Sequence, residues 1–210
     1  MKILVLMKRF GAGKDMVMQD FGRQIRLFEG IARLHKIDFF VFDYKKKERK
    51  DVNLHGMDFY IRPYSFLRHF SFIKELKSVV EKGKYDYIFG TTDPLLGILG
   101  YFISKKFGIK YVYDMQDEYS CYDTYKIPFV RYLDRIAIKN SDIVLTVSDS
   151  LNKYVSKFRK KPIYTIQNGI YLESFFRMSK GKARKILKLP KGKIIIYVGE
   201  ISKFKGVDVL

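Results

Sequence analysis

Short runs of β-branched and aromatic residues alternate with longer segments of helical periodicity along almost the whole chain, and this alternation restricts the fold more than any other feature. The predicted strands are Ile3–Met7, Ile37–Phe42, Phe59–Arg62, Tyr87–Gly90, Tyr111–Met115, Ile143–Val147, Ile163–Ile166 and Ile194–Val198. The predicted helices are Val17–Leu34, Phe66–Lys82, Leu95–Lys106, Pro128–Asn140 and Ser148–Lys157. Most of these strands are continuously apolar, which is typical of a parallel sheet buried on both faces. The sequence therefore predicts an α/β fold with a doubly wound, mostly parallel sheet.

The composition excludes several other classes. Cys121 is the single cysteine, so an intrachain disulfide is impossible, and the three histidines show no metal-ligand spacing. The longest apolar stretches, such as Leu95–Ile103, are too short to span a bilayer and contain glycines. We therefore expect a cytoplasmic protein.

The charge is strongly basic and unevenly distributed. The net charge is +19, and residues 153–205 carry 15 basic and 2 acidic side chains. Such a surface attracts polyanions, which include nucleotide phosphates, anionic lipid headgroups and nucleic acids. Charge alone does not distinguish among these three partners.

The end of the chain differs from the rest. Lys180–Leu189 is predicted to form a short basic helix, Pro190 and Gly192 interrupt it, and the predicted strand Ile194–Val198 follows. One strand cannot bury its own apolar faces. We expect a first domain at residues 1–178, and at residues 179–210 a linker helix with the start of a truncated second domain. Its unpaired strand predicts self-association through residues 180–210.

A glycine-rich loop follows the first strand and contains Gly11, Gly13 and Lys14. Backbone N–H groups between a strand and a helix can bind a phosphate or a sugar hydroxyl. Asp15 stands where a P-loop requires serine or threonine, and Met16 stands where a dinucleotide fingerprint requires a small residue. A plain tight turn explains the loop equally well.

Three carboxylates, Asp114, Asp117 and Glu118, surround Gln116 at the carboxyl end of a predicted buried strand. One of them can serve as a general base toward a hydroxyl nucleophile. Asp117 is the preferred base because it lies just past the strand. The alternative is that Asp114 pairs locally and the other two carboxylates face water.

Three segments occur in a recognisable order: Asn140–Ser148, Ile163–Phe175 and Ile196–Asp208. Together they resemble the corresponding motifs of family 4 glycosyltransferases of GT-B fold. The resemblance implies two Rossmann-like domains facing across a cleft, the first for the acceptor and the second for a nucleotide-diphosphate sugar. It also implies a transfer that retains the anomeric configuration and requires no metal or other cofactor.

The resemblance assigns roles to individual residues. Gly11 and Gly13 match the loop near the acceptor and the donor phosphates, Gln116-Asp117 match a pair near the acceptor, and Lys205 matches the lysine that holds the donor diphosphate. Glu200 replaces the usual phosphate-binding arginine, and Gln167 replaces the usual proline before Asn168-Gly169. The acidic motif that grips the donor sugar is absent from these residues, so we expect the chain alone to be inactive.

The predicted site combines both lines of reasoning. Asp117 and Gln116 are the expected catalytic pair, and Gly199 and Lys205 are expected to contact the donor. The expected acceptor contacts are Gly11, Gly13, Lys14, Thr91, Thr92 and Glu118. A lipid-linked or polysaccharide-precursor acceptor suits the basic surface. Residues 64–80 carry more apolar side chains than a helix packed on a sheet requires, which predicts peripheral contact with an anionic membrane. The alternative for this segment is an ordinary amphipathic helix that packs on the sheet. The alternative is a basic phospholigand or nucleic-acid binding module, although no nucleic-acid motif is present.

Overall fold

A parallel sheet of seven strands, extended by one antiparallel strand, organises the chain. The computed structural model describes residues 1–11, 13–199, 201 and 206–209, without the side chains of Cys121 and Asp208. The strands are β1 (Lys2–Lys8), β2 (Phe10–Gly11), β3 (Lys14–Asp15), β4 (Lys36–Asp43), β5 (Lys50–Leu54), β6 (Met57–Pro63), β7 (Tyr87–Thr91), β8 (Lys110–Met115), β9 (Ile143–Thr146) and β10 (Ile163–Thr165). The sheet order is β10-β9-β8-β7-β1-β4-β6-β5, with β5 antiparallel to β6. The predicted doubly wound α/β fold is therefore confirmed.

Helices cover both faces of this sheet. They are α1 (Arg23–Glu29), α2 (His69–Gly83), α3 (Pro94–Phe107), α4 (Val130–Asn140) and α5 (Asp149–Ser156), with short 3-10 turns at Phe66–Arg68, Tyr119–Cys121 and Asp123–Lys126. A further helix, α6 (Lys180–Ile186), and a 3-10 turn at Val207–Val209 occur later in the chain. Apolar side chains of α2, α3, α4 and α5 share one core with one face of the sheet, and α1 packs against the other face. Because α2, α3 and α4 each connect parallel strands, all three begin at the carboxyl edge of the sheet.

Local sequence explains where the helices begin and end. Asp93 caps α3, since its Oδ1 accepts a hydrogen bond from the Leu95 N–H at 2.9 Å. Gly108 ends the same helix in the left-handed conformation, with φ of 65°. Ser148 caps α5 in the same way as Asp93, through the Leu151 N–H at 3.2 Å.

α3 packs unusually closely on the sheet because two of its turns carry glycine. A Cβ atom at Gly97 would lie 2.4 Å from the ring of Tyr113, and one at Gly100 would lie 2.7 Å from the ring of Tyr111. Both tyrosine rings are fully buried. The hydroxyl of Tyr111 donates to the Gly97 carbonyl at 2.6 Å, so this contact also satisfies a buried polar group.

Arg159 joins the segments around β9. Its buried guanidinium donates to the backbone carbonyls of Ile138, Ser141, Asp142 and Pro162 at 2.6 to 3.1 Å. Two of these carbonyls belong to the last turn of α4 and its C-cap. The arginine therefore satisfies carbonyl groups that a helix end leaves without an intrahelical partner.

Two predicted elements differ from the structure. The predicted helix Val17–Leu34 is reduced to α1, because Asp20 and Gly22 adopt positive φ values of 49° and 115°. The predicted strand Ile194–Val198 is not a strand: no ladder partner is present among the described residues, and its side chains are largely exposed. A strand requires a neighbour for its backbone hydrogen bonds. Self-association through this end of the chain stays a prediction.

The chain divides into two compact units, Met1–Gly169 and Ile170–Leu210. The first contains the sheet and both cores. The second contains α6, whose N-cap Ser179 accepts from the Lys182 N–H at 3.3 Å. Our predicted domains, 1–178 and 179–210, place the boundary nine residues later and stay a prediction.

Candidate functional site

The strand order reverses between β1 and β7, at the carboxyl edge of the sheet. From β1 the chain passes to β4 on one side, and β7, β8, β9 and β10 follow on the other side. Ligands of open α/β sheets bind in the crevice outside the carboxyl ends of the strands at such a switch point. The residues that end β1, β7 and β8 therefore define the candidate site.

The ends of β1 and β7 are tied together by polar contacts. The Lys8 ammonium lies 3.0 Å from the Asp93 carboxylate, and the Lys8 N–H donates to Thr92 Oγ1 at 3.0 Å. Thr92 has a φ of 75°, an unusual conformation for a β-branched residue. Strain of this kind is often found at functional sites.

A buried cluster lies beside this junction, on the face that α1 covers. Asp114 Oδ2 accepts hydrogen bonds from Thr91 Oγ1 and from Gln116 Nε2, each at 2.8 Å. Asp114 Oδ1 lies 3.2 Å from the Arg23 guanidinium. The structure therefore brings the predicted residues Thr91 and Gln116 together around the Asp114 carboxylate. This carboxylate is buried, and both of its oxygens have partners.

Asp117 and Glu118 are placed differently from Asp114. Both side chains are exposed just beyond β8. Asp117 accepts hydrogen bonds from the Glu118 N–H at 2.9 Å and from the Tyr122 hydroxyl at 3.2 Å. The predicted base is thus accessible to an incoming molecule, as a general base has to be.

The glycine-rich loop forms a short hairpin, in which β2 and β3 pair. Gly13 has a φ of 73°, and a Cβ atom at Gly11 would lie 3.0 Å from Met16 Sδ. The Lys14 ammonium lies 4.5 Å from the centre of the Phe21 ring. Gly11, Gly13 and Lys14 follow β1 directly, so the hairpin lies at the same edge of the sheet as Thr91 and Thr92.

Arg9 fixes the base of this hairpin. Its buried guanidinium contacts Asp15 at 2.8 Å, Asp43 at 2.8 Å and Glu48 at 2.7 Å. Burial alone would lower the pKa of Arg9, but the hydrogen bonds to these three carboxylates raise it. For Asp43 the directions are reversed. Burial acts to raise the pKa of this carboxyl group, whereas hydrogen bonds from the Glu48 backbone and from Arg9 hold it below its usual value. Arg9 is therefore a structural cation, saturated by its carboxylate partners.

A cleft of about 390 Å³ opens on the other face of the sheet, in front of the N-terminus of α3. Its lining combines charged, aromatic and hydroxyl groups, including Lys8, Asp93, Phe42, Tyr44, Tyr122 and Thr124. Thr124 Oγ1 is buried and has no hydrogen-bond partner among the residues that the structure describes. The cleft therefore offers both ring faces and polar groups, a combination that suits a small polar ligand.

Sequence reasoning missed two contributors to this edge. Lys8 is a polar residue at the end of an apolar strand, which is a usable signal. Arg23 also contacts the loop after β10, donating to the Ile166 carbonyl at 2.6 Å and to Asn168 Oδ1 at 3.4 Å. The Asn168-Gly169 segment therefore has a partner at the site that no local pattern indicated.

The predicted donor contacts, Gly199 and Lys205, come from the last part of the chain. Gly199 belongs to the second unit, where a Cβ atom on it would lie 2.7 Å from the Tyr197 hydroxyl. Lys205 and Glu200 lie outside the described residues. Their predicted roles toward a donor stay predictions.

The sequence profile of the family described as Glycosyltransferase Family 4 matches residues 25–174. This is more than half of the 210-residue chain. The chain therefore belongs to glycosyltransferase family 4, as the order of its motifs predicted. No curated protein sequence matches it.

Solved structures show the same fold. The chain is similar to sucrose-phosphate synthase from Thermosynechococcus elongatus, with 14% identity, a TM-score of 0.63, and coverage of 90% of this chain and 53% of that one. It is also similar to Anabaena Alr3699/HepE in complex with UDP, with 14% identity, a TM-score of 0.57, and coverage of 90% and 50%. The chain thus spans about half the length of these two proteins.

Proposed function

We propose that this chain is the acceptor-side domain of a retaining glycosyltransferase that uses a nucleotide-diphosphate sugar and requires no metal. The observation that carries the proposal is the gathering of Lys8, Thr91, Thr92, Asp114 and Gln116 at the switch point, in a chain that belongs to a glycosyltransferase family. A nucleotide sugar as donor is supported by the UDP bound to one of the similar proteins. The retention of the anomeric configuration during transfer and the absence of a metal requirement are inferred from the family resemblance.

In this proposal the acceptor lies along the carboxyl edge of the sheet. Asp117 takes the proton of the acceptor hydroxyl as that oxygen bonds to the anomeric carbon on the same face from which the nucleoside diphosphate leaves, so the configuration is retained. Gln116 is held by Thr91 and Asp114, so it presents a fixed amide beside Asp117. The further acceptor contacts are Gly11, Gly13, Lys14, Thr91, Thr92 and Glu118, and Gly199 and Lys205 contact the donor.

We further propose that transfer requires a second domain that holds most of the donor. Two of the similar proteins are about twice as long as this chain. The 210 residues alone then turn over no nucleotide sugar, whereas the same residues joined to a donor-binding domain do.

A lipid-linked or polysaccharide-precursor acceptor fits one surface of the chain. No helix in the described part of the chain has the length and apolar character needed to cross a bilayer. Peripheral contact is supported by three side chains in the 3-10 turn before α2 and in the first turn of α2, which we call the α2 patch: Phe66, Leu67 and Phe70, exposed by 90%, 94% and 87%. The same helix buries a separate stripe of Phe72, Leu76 and Val80 against the sheet, so the α2 patch is not needed for that packing. The protein then works on the inner face of the cell membrane.

The role of Asp117 is tested by Asp117→Asn in the enzyme that joins this chain to its donor-binding domain. We expect turnover to fall about 10²–10⁴-fold, because the general base is lost while the size of the side chain is kept. Thermal unfolding of the variant is expected to match the wild type, since the Asp117 side chain is exposed.

The matched control is Asp149→Asn, which removes an equally exposed carboxylate from the first turn of α5. We expect its turnover to stay within a factor of a few of the wild type. If Asp117→Asn and Asp149→Asn gave equal rates, Asp117 would not be the base.

The absence of a metal is tested with a chelator. Turnover that persists in excess chelator supports the metal-free proposal, and loss of turnover contradicts it.

A further inference from the structure

A second group of exposed apolar side chains precedes and begins α4. This α4 patch consists of Ile127, Phe129 and Tyr132, exposed by 48%, 78% and 66%. The helix buries a different set, Val130, Asp134, Ala137 and Ile138. The α4 patch therefore contributes nothing to the packing of α4 on the sheet.

The backbone at this patch is held in an unusual conformation. Phe129 has a φ of 66°, in the left-handed region, which is an outlier for a bulky aromatic residue. The strain is accompanied by exposure rather than by burial of the ring, so core packing does not explain it. Strain at an exposed apolar residue points to a function of the side chain outside the domain.

Both patches lie on one rim of the domain. α2, α3 and α4 form a single layer, in which α3 packs on both of its neighbours. All three helices begin at the carboxyl edge of the sheet, so the α2 patch and the α4 patch stand on either side of the N-terminus of α3. The cleft with Lys8, Tyr122 and Thr124 opens at this N-terminus, between the two patches.

Basic side chains predominate around both patches. Residues 64–74 contain Arg68 and Lys74 and no acidic residue. Residues 126–135 contain exposed Lys126, Arg131 and Arg135, and their one acidic residue, Asp134, is buried. Nearby, the exposed Asp123 pairs with Lys126 at 2.7 Å, so Arg131 and Arg135 supply the basic charge beside the α4 patch. Exposed apolar and aromatic side chains with lysine and arginine close by in the sequence match the interface of an anionic bilayer.

We propose that the α4 patch is a second membrane contact, which acts together with the α2 patch to hold the carboxyl edge of the sheet and its cleft against an anionic bilayer. This inference rests on the peripheral membrane contact included in the proposed function. Two contacts on one rim fix the orientation of the domain, whereas one contact leaves it free to rotate. The cleft then opens toward the plane in which lipid-linked molecules lie.

The absence of tryptophan from the sequence allows a direct test with the full chain. Three single variants, Phe129→Trp, Phe66→Trp and Leu34→Trp, each introduce one fluorophore at an exposed apolar position. Leu34 is 80% exposed in the turn between α1 and β4, at the opposite edge of the sheet, and serves as the control. Each variant is mixed with vesicles of phosphatidylcholine alone, or of equal parts phosphatidylcholine and phosphatidylglycerol, with and without brominated acyl chains.

We expect the emission of Phe129→Trp and Phe66→Trp to shift to the blue and to be quenched by brominated lipid on anionic vesicles, while Leu34→Trp stays unchanged. The double variant Phe129→Ser/Tyr132→Ser is expected to lower the vesicle partition coefficient by about tenfold or more, given the apolar area that it removes from contact. Its thermal unfolding is expected to stay unchanged, because both side chains are exposed.

The outcomes separate the two proposals. Quenching at Phe66→Trp without quenching at Phe129→Trp would leave the α2 contact standing and overturn the second one. No binding of any variant to anionic vesicles would overturn both. A blue shift of Phe129→Trp that grows with protein concentration in the absence of lipid would identify a second copy of the chain as the occupant, and would also overturn the inference.

Discussion

Two buried aspartates lie on opposite sides of β8, and different partners stabilise their carboxyl groups. Asp114 belongs to the strand and faces α1, where it meets the Arg23 guanidinium at 3.2 Å and hydrogen-bond donors from Thr91 and Gln116. Asp134 comes from α4 on the other face, where its two oxygens accept from the hydroxyls of Tyr113 and Tyr125, each at 2.5 Å.

The difference lies in the charge of the partners. A buried carboxylate is costly unless a cation or several donors stabilise it. Asp114 has a cation. Asp134 has neutral phenols, so burial raises its pKa to about 6 even though the two phenol hydrogen bonds act in the opposite direction. One region therefore holds an ion pair at the candidate site, and the other holds an acid that gives up its proton near neutral pH.

The largest expected effect is that of Asp114→Ala. Removal of this carboxylate leaves the Arg23 guanidinium buried without its charged partner and removes the acceptor of Thr91 and Gln116. We expect the free energy of unfolding to fall by about 3 kcal/mol, as for other broken buried pairs. Urea denaturation measures this change.

The control for Asp114→Ala is Asp117→Ala, three positions further along. Its side chain is exposed, so the expected loss is below about 0.5 kcal/mol. Equal losses for the two variants would mean that burial of the ion pair contributes nothing at this edge.

Asp134→Asn tests the other region. Asp134 has a folded pKa of about 6, above its usual value of 3.8, so the folded state holds this proton more tightly than the unfolded state. The stability that the proton provides is fully present below pH 3.8 and is lost as the pH rises through about 6.

Asparagine does not ionise, so the variant lacks this loss. Relative to the wild type, we expect the free energy of unfolding of Asp134→Asn to gain about 3 kcal/mol between pH 4 and pH 8, because the pKa of Asp134 is 3.8 in the unfolded state and about 6 in the folded state. Denaturation of both proteins across this range gives the difference directly. A difference that does not change with pH would show that Asp134 does not titrate in this window.

The smallest effect is expected for Tyr125→Phe. The variant loses one hydrogen bond to Asp134, and we expect a cost of about 1 kcal/mol. Because that hydrogen bond lowers the pKa of Asp134 by favouring its charged form, the cost is larger at pH 8 than at pH 4. Tyr132→Phe, on the exposed side of α4, is the control and should leave stability unchanged at both pH values. If the cost were independent of pH, the hydroxyl would not stabilise the carboxylate.

The sheet could be predicted from the sequence because its central strands are buried on both faces. Their apolar runs locate β1, β4 and β8 to within a residue or two. β5 was missed, since this edge strand reads Lys-Asp-Val-Asn-Leu and carries little apolar signal. The strand predicted at residues 194–198 has the right composition, but composition provides no hydrogen-bonding neighbour.

The site was predictable in part, for a related reason. Polar residues that end buried strands, such as Thr91 and Asp114, stand out from the apolar runs before them. Their pairing did not follow, because the interactions span large sequence distances: Arg23 and Asp114 are separated by 91 positions. The distinction between a buried Asp114 and an exposed Asp117 likewise depends on α1, which no local pattern positions.

The close fit of α3 against β8 means that substitutions at three positions, 97, 113 and 134, depend on one another. A side chain larger than glycine at position 97 collides with the ring of Tyr113, so it can persist only where position 113 has become smaller. A smaller residue there no longer donates to Asp134, and the buried acid loses one of the groups that stabilise it. Relatives that depart from glycine at position 97 should therefore depart at positions 113 and 134 as well, and a sequence that changed the first position alone would carry a clash in the middle of its core.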